Sequence, residues 1–328
     1  MRASVITSAG EPEVLEIRDR ALPEPGGAEV LVRVEAAGVN RADVLQRRGM
    51  YPAPAGIDPD VPGLEYAGTI EATGPRATLR RQGDRVMGLV GGAAYAEYLI
   101  VHERETQLVP QGIDSVTAAA FPETYMTAYR ALFLEGGLQP GHWALVRAAT
   151  SGVGISALQL IHTLGAYGIG TSRSRARLKA LHVHGMKAGY VEGEGSLAEL
   201  VREQSAGRGA SVCLDLVGGH LADALEAVRD EGTLVLVGLL GGTRDEINLG
   251  SLLMRRQTIR AMTMRSQPQE TRIRLARISE ERLVPLLAEG RLKPVVDRVF
   301  PLAEAALAHA HMEANRHAGK IVLKVREQ

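Results

Sequence analysis

Cysteine occurs once in the 328 residues, as Cys213. One thiol excludes an internal disulfide and any zinc site built on a cluster of thiolates. An excess of charge of either sign is also missing, since 38 basic residues balance 38 acidic ones. With no whole-molecule field to hold a polyanion, nucleic acid is not expected as a partner. No apolar run approaches the roughly 18 residues that a membrane span needs. The opening MRASVITSAGEPE lacks the apolar segment of a secretory signal. The expectation is a cytoplasmic protein with no membrane partner. Aromatic residues are scarce at 4%, so a tyrosine near a candidate site carries weight. Glycine is in excess, with 37 residues and no collagen-like period, which points to many tight turns and close backbone approaches.

The length suits two domains, and the chain has two textures. Up to about residue 120, short alternating segments are broken by Gly and Pro: 29–35 (EVLVRVE), 66–72 (YAGTIEA), 84–90 (DRVMGLV) and 96–101 (AEYLIV). These read as strands of an antiparallel, barrel-like domain. After Pro122 a helix over 126–135 is followed by strands at 143–148, 167–171, 212–216 and 233–238, alternating with helices at 154–164, 176–184 and 221–229. Such alternation calls for a parallel sheet covered on both faces. Beyond residue 266 come a charged helix (272–289), a strand near 295–300, a helix (302–315) and a closing strand, KIVLKV. That last strand needs a sheet, and its simplest home is the first domain. The reading is an α/β chain in which residues 122–266 form a doubly wound domain inserted into a barrel made of 1–121 and 267–328.

The strongest local signal is Ala148-Ala149-Thr150-Ser151-Gly152-Val153-Gly154, between a buried strand and an amphipathic helix. Small residues there let the backbone approach a pyrophosphate placed on the helix N-terminus. Ser151, Gly152, Val153 and Gly154 are therefore candidate cofactor contacts, although Ala149 and Ser151 replace the first two glycines of the usual pattern. About 20 residues on, where an acid would hold the ribose of NAD, the chain reads Thr171-Ser172-Arg173-Ser174-Arg175-Ala176-Arg177. Arginines and serines suit a 2′-phosphate, so Ser172, Arg173, Ser174 and Arg177 point to NADPH. Cys213, in the apolar stretch VCLDL, reads as an inert core thiol. The nine histidines are scattered and receive no role.

Several further segments recur in one order in a known family. They are Ala37-Gly38-Val39-Asn40-Arg41-Ala42-Asp43, Arg48-Gly49-Met50-Tyr51-Pro52, Gly63-Leu64-Glu65-Tyr66-Ala67-Gly68, Gly83-Asp84-Arg85-Val86, Pro122-Glu123-Thr124 and Gly319-Lys320-Ile321-Val322-Leu323. Over essentially its whole length the chain resembles the medium-chain dehydrogenases/reductases, and among them the quinone oxidoreductases, particularly the p53-inducible type. The resemblance implies a GroES-like β-barrel catalytic domain carrying a Rossmann cofactor domain. It also implies a homodimer paired along an edge strand near 258–264.

The family's alcohol dehydrogenases bind a catalytic zinc. Where they carry Cys this chain has Asn40, where they carry His it has Leu64, and the third ligand would fall near Glu123. Leucine cannot ligate, and an amide with one carboxylate makes a poor zinc site. The resemblance therefore implies the metal-free branch, acting on small molecules that accept hydride unaided: quinones or activated alkenes. It implies catalytic places for Asn40, Tyr51 and Asp43, with Asp43 equally readable as a residue ordering its own loop. Thr127, Gly238 and Leu239 would lie near the nicotinamide, with Met264 and Arg265 returning toward the cofactor. Glu192 stands where these reductases often have tyrosine, and its charge would oppose a 2′-phosphate if it pointed inward. Two other functions share the cofactor: reduction of an enal, enone or enoyl thioester, and a non-catalytic, crystallin-like role in NADPH binding.

Overall fold

A computed structural model describes residues 1–326, which form two compact units: residues 1–123 with 264 onward, and Thr124–Thr263. The first unit is built on one long strand, Glu29–Val39. It pairs antiparallel with Glu65–Thr73, Tyr98–His102 and Lys320–Lys324. Two register shifts against Glu65–Thr73 mark bulges, which bend a long strand and let its sheet curl. Val30, Val32 and Val34 alternate along it and are fully buried, the period-2 pattern that fixes which face enters the core. The closing strand Lys320–Lys324 joins this sheet, as expected, and sits between Glu29–Val39 and a parallel partner, Val296–Pro301.

The second unit holds six strands in the order Met186–Val191, Tyr167–Ser172, Trp143–Val146, Ala210–Asp215, Val228–Leu236, Thr258–Ala261. All five pairings are parallel. Chain order reverses on either side of Trp143–Val146, so the switch point lies between that strand and Ala210–Asp215. Parallel sheets of this kind bind ligands outside the carboxyl ends of the strands at that point.

Some elements differ from the sequence expectation. The helix anticipated over 126–135 is an α-helix at Pro122–Tyr129 running into a π-helical turn at Arg130–Glu135. The helix anticipated over 176–184 stops at Ala180, tightens into a 3-10 turn, and ends at Gly185 in the left-handed region (φ 89°), where glycine carries no Cβ penalty. Strand Met186–Val191 and helix Leu197–Gln204 were not anticipated. Only Met186 and Tyr190 of that strand are buried, so its apolar pattern is faint.

Candidate functional site

In the second unit, strand Trp143–Val146 leads into a turn in which Ala148 takes a positive φ of 54°. Ser151 then caps helix Gly152–Thr163, its Oγ accepting the Gly154 N–H at 3.1 Å. The N–H groups of Gly152 and Val153 have no acceptor among the described residues, as the first turn of a helix leaves them. A Cβ on Gly154 would lie 2.6 Å from the Ala148 carbonyl oxygen and 2.7 Å from Ala149 backbone carbons. Only glycine lets the helix start this close to the strand. The loop thus fits an anionic pyrophosphate, with two open donors at the positive end of a helix dipole.

Ser172 ends the neighbouring strand, and its Oγ accepts the Ser174 N–H, while Ser174 caps the next helix. Arg173 is exposed, and Arg175 is held in an ion pair by Glu194. Across the switch point, a pair that sequence reading missed orders the facing loop. Arg147 Nη1 donates to Asp215 Oδ2 at 2.7 Å and to the Gly219 carbonyl at 3.0 Å. Asp215 Oδ1 accepts the N–H groups of Val217 and Gly218. Both side chains are buried, so this hydrogen-bonded pair fixes the loop's path. A lone Asp in VCLDL was the one available signal. Gly238 packs on this loop, where a Cβ would meet the Leu216 oxygen at 2.3 Å. Leu239 is exposed and Thr127 is buried in helix Pro122–Tyr129.

In the first unit, Asn40 precedes helix Arg41–Arg47. Its Nδ2 donates to the Gly38 carbonyl and to Glu65 Oε2, and its Oδ1 accepts from Lys320 Nζ at 2.6 Å. Lys320 also donates to the Val39 carbonyl at 3.0 Å and pairs with Glu65 Oε2 at 2.7 Å. Glu65 Oε1 accepts the Glu123 N–H at 2.8 Å. Gly38 leaves room for this carboxylate, since a Cβ there would stand 2.2 Å from Glu65 Oε2. The amide of Asn40 is therefore spent on a buried ion pair. The place expected by analogy for a metal holds the Lys320 ammonium, fully supplied with acceptors.

Asp43 is fully buried. Its Oδ2 accepts the Asn40 N–H at 2.8 Å and the Tyr95 hydroxyl at 3.1 Å. Of the two places expected for Asp43, these bonds are those of a residue that orders its own loop: its carboxylate closes the helix N-terminus. Tyr95 also meets His309 Nε2 at 3.2 Å, and His309 Nδ1 faces Arg47 Nη1 at 3.4 Å. Arg47, itself fully buried, is clamped by Glu313. An arginine donor at Nδ1 assigns the proton of a neutral ring to Nε2. Burial, then Arg47 and Arg41, push His309 down to about 3. Burial pushes the Asp43 carboxyl up to about 6 against the Asn40 N–H, Lys320, Tyr95 and Arg265.

These shifts act on stability in opposite senses. The unfolded chain protonates His309 near 6.5 and the native chain only near 3, so stability is lost as pH falls through that window. Native Asp43 keeps its proton up to about 6 while the unfolded residue loses it near 3.8, so its contribution is lost as pH rises between those values. His309→Gln removes only the first effect. In urea unfolding, the stability gap between wild type and variant should shrink by about 1.4 kcal/mol per pH unit below about pH 6. A gap that stays constant from pH 7 to 4.5 would remove His309 from the acid response.

Tyr51 is half-buried, with the Arg265 guanidinium 5.2 Å above its ring. Arg265 donates to the Gly91 carbonyl at 2.7 Å, the Tyr51 carbonyl at 3.0 Å and Gln46 Oε1 at 2.6 Å. The arginine expected to reach the cofactor is engaged inside the first unit, where it pins Tyr51. Burial raises the Tyr51 pKa, partly offset by Arg265, so the phenol stays protonated. Met264, beside it in sequence, is buried.

A doubly wound nucleotide unit carried by a GroES-like barrel is the architecture of nicotinamide-dependent oxidoreductases. Residues 26–111 match the alcohol dehydrogenase GroES-like domain, and residues 190–323 match the family described as zinc-binding dehydrogenase. The quinone oxidoreductase of Pseudomonas aeruginosa is 34% identical over 96% of both chains. Among solved structures, a mycobacterial protein complexed with NADPH superposes with a TM-score of 0.87 at 28% identity, covering 99% of this chain and 100% of its own. An NAD-dependent alcohol dehydrogenase does so with 0.86 at 30% identity and the same coverage. The chain belongs to the medium-chain dehydrogenases/reductases, among the quinone oxidoreductases.

The zinc in one of those family descriptions does not fit these residues. An ammonium already satisfies Asn40 and Glu65, and no group of three or more His, Cys, Asp or Glu among the described residues could hold a metal. No helix there is long and apolar enough to cross a membrane.

Proposed function

We propose that the chain is a metal-independent, NADPH-using quinone oxidoreductase of the cytoplasm. The observation that carries the reading is the loop ending at Gly154, whose two open N–H groups suit a pyrophosphate. Ser151, Gly152, Val153 and Gly154 would hold that group, with Ser172, Arg173, Ser174 and Arg177 around the adenosine end. Gly238, Leu239 and Thr127 would flank the nicotinamide, which supplies hydride when the dinucleotide is bound.

An acceptor that receives hydride without a Lewis acid develops negative charge on an oxygen, and a quinone spreads that charge over its ring. We assign that role to Tyr51. Its phenol stays protonated and Arg265 holds its ring, so its O–H can donate as the charge forms. Arg265 and Asn40 act as positioning residues, the first for Tyr51 and the second within the Glu65–Lys320 pair. Tyr51→Phe should lower kcat with an ortho-quinone by roughly 100-fold while leaving the Kd for NADPH unchanged. Equal kcat in the two proteins would remove Tyr51 from the chemistry, and faster turnover of an enone than of a quinone would shift the acceptor class to activated alkenes.

The reading includes a homodimer. Strand Thr258–Ala261 closes one side of the parallel sheet, paired among the described residues only to Val228–Leu236. Near it in sequence, Leu249, Leu253 and Met254 are 68, 76 and 75% exposed. An open edge of this kind invites pairing with a second copy.

A further inference from the structure

The arginines that follow Ser172 argue for a 2′-phosphate, but the structure puts an acid against the end of the same strand. Strands Tyr167–Ser172 and Met186–Val191 run parallel, with Val191 opposite Ser172. Glu192 is the next residue, at the carboxyl end of both. Its N–H donates to the Ser172 carbonyl at 3.0 Å. Its Oε1 accepts the Thr171 hydroxyl at 2.5 Å. The side chain is therefore tied to the strand end where dinucleotide folds read the adenosine ribose, and it remains exposed to a ligand there. Of the nearby cations, Arg175 is drawn off by Glu194, and Arg173 is exposed.

We propose that Glu192, fixed by Thr171, is the residue that sets dinucleotide specificity, and that it makes this chain accept NADH alongside NADPH. A carboxylate at this point accepts a hydrogen bond from a ribose 2′-hydroxyl and repels a 2′-phosphate, whereas Arg173 and Arg177 do the reverse. The two influences oppose each other across one strand end, and neither dinucleotide is excluded. Thr171 keeps Glu192 from swinging into solvent, so it acts as a positioning residue for the carboxylate. The inference rests on the loop ending at Gly154 being the dinucleotide site, and it deepens that reading.

Equilibrium titration of the purified protein with NADH and with NADPH, with no acceptor present, tests it. Wild type should bind both, with Kd values within about tenfold of each other. Glu192→Gln keeps the size of the side chain and should tighten NADPH about tenfold while leaving NADH unchanged or weaker. Arg173→Ala should weaken NADPH alone. An unchanged ratio of the two Kd values in Glu192→Gln, with circular dichroism showing the fold intact, would overturn the proposal. If wild type binds neither dinucleotide, the loop assignment fails and the proposal with it. If it binds both and turns over no quinone, only the acceptor reading is lost.

Discussion

Gly154→Val is expected to abolish binding of both dinucleotides while leaving the chain folded. The reason is geometric. Even a single Cβ at residue 154 would stand 2.6–2.7 Å from the Ala148 oxygen and Ala149 backbone carbons, none of which can rotate away. Valine adds two methyl groups to that conflict, so the helix must lift off the strand it follows. The N–H groups of Gly152 and Val153 then lose their common aim, and with it the anion site at the helix start. The rest of the unit is held by the buried sheet, in which Leu145, Ile169, Cys213 and Leu234 are fully buried. Fluorescence titration should show no saturable binding of NADPH up to millimolar concentration, against a native-like circular dichroism spectrum. Normal binding by this variant would mean that the nucleotide sits elsewhere.

Lys320→Met is expected to give the largest loss of stability of any single change near the barrel site. Methionine matches the length of the lysine stem but removes the ammonium. The Glu65 carboxylate, fully buried, would keep only the Asn40 Nδ2 and Glu123 N–H donors. Removing one partner of a buried ion pair costs about 3–5 kcal/mol, because a charge is left without its counter-charge. Urea unfolding should show that loss. The double variant Lys320→Met with Glu65→Gln should recover part of it, since the amide has no charge to strand. A single-variant loss under about 1 kcal/mol would show that the pair contributes no more than a surface ion pair, and the account of Asn40 as part of a buried network would fail.

Local pattern carried much of this fold. The alternating valines at 30, 32 and 34, the strand and helix alternation after Pro122, and the orphan strand at the C-terminus all follow from periodicity and the need for a partner sheet. The tight turn ahead of helix Gly152–Thr163 was legible because its small residues sit between two elements of different period. What stayed hidden depends on residues far apart in sequence. Lys320 meets Asn40 across 280 positions, and Tyr95 meets His309 across 214. Nothing local distinguishes a lysine opening a strand from a solvated one, or a neutral core histidine from the eight others. Arg147 and Asp215 were masked by the apolar runs around them. Glu192 could be flagged by position alone, but only packing against Thr171 shows where its carboxylate is held. Asp43 could be read two ways from sequence. Its place in a motif suggested chemistry or loop order, and only packing shows its burial and its bond to the Asn40 N–H.

The proposed reaction is hydride transfer from a nicotinamide to a quinone, with the Lys320 ammonium as the fixed cation of the barrel site and no metal. Its most direct test is the rate at which the purified protein oxidises NADPH with an ortho-quinone, before and after exhaustive treatment with a chelator. The expected result is saturable turnover that the chelator leaves unchanged. Turnover that disappears on chelation and returns with added zinc would contradict the claim.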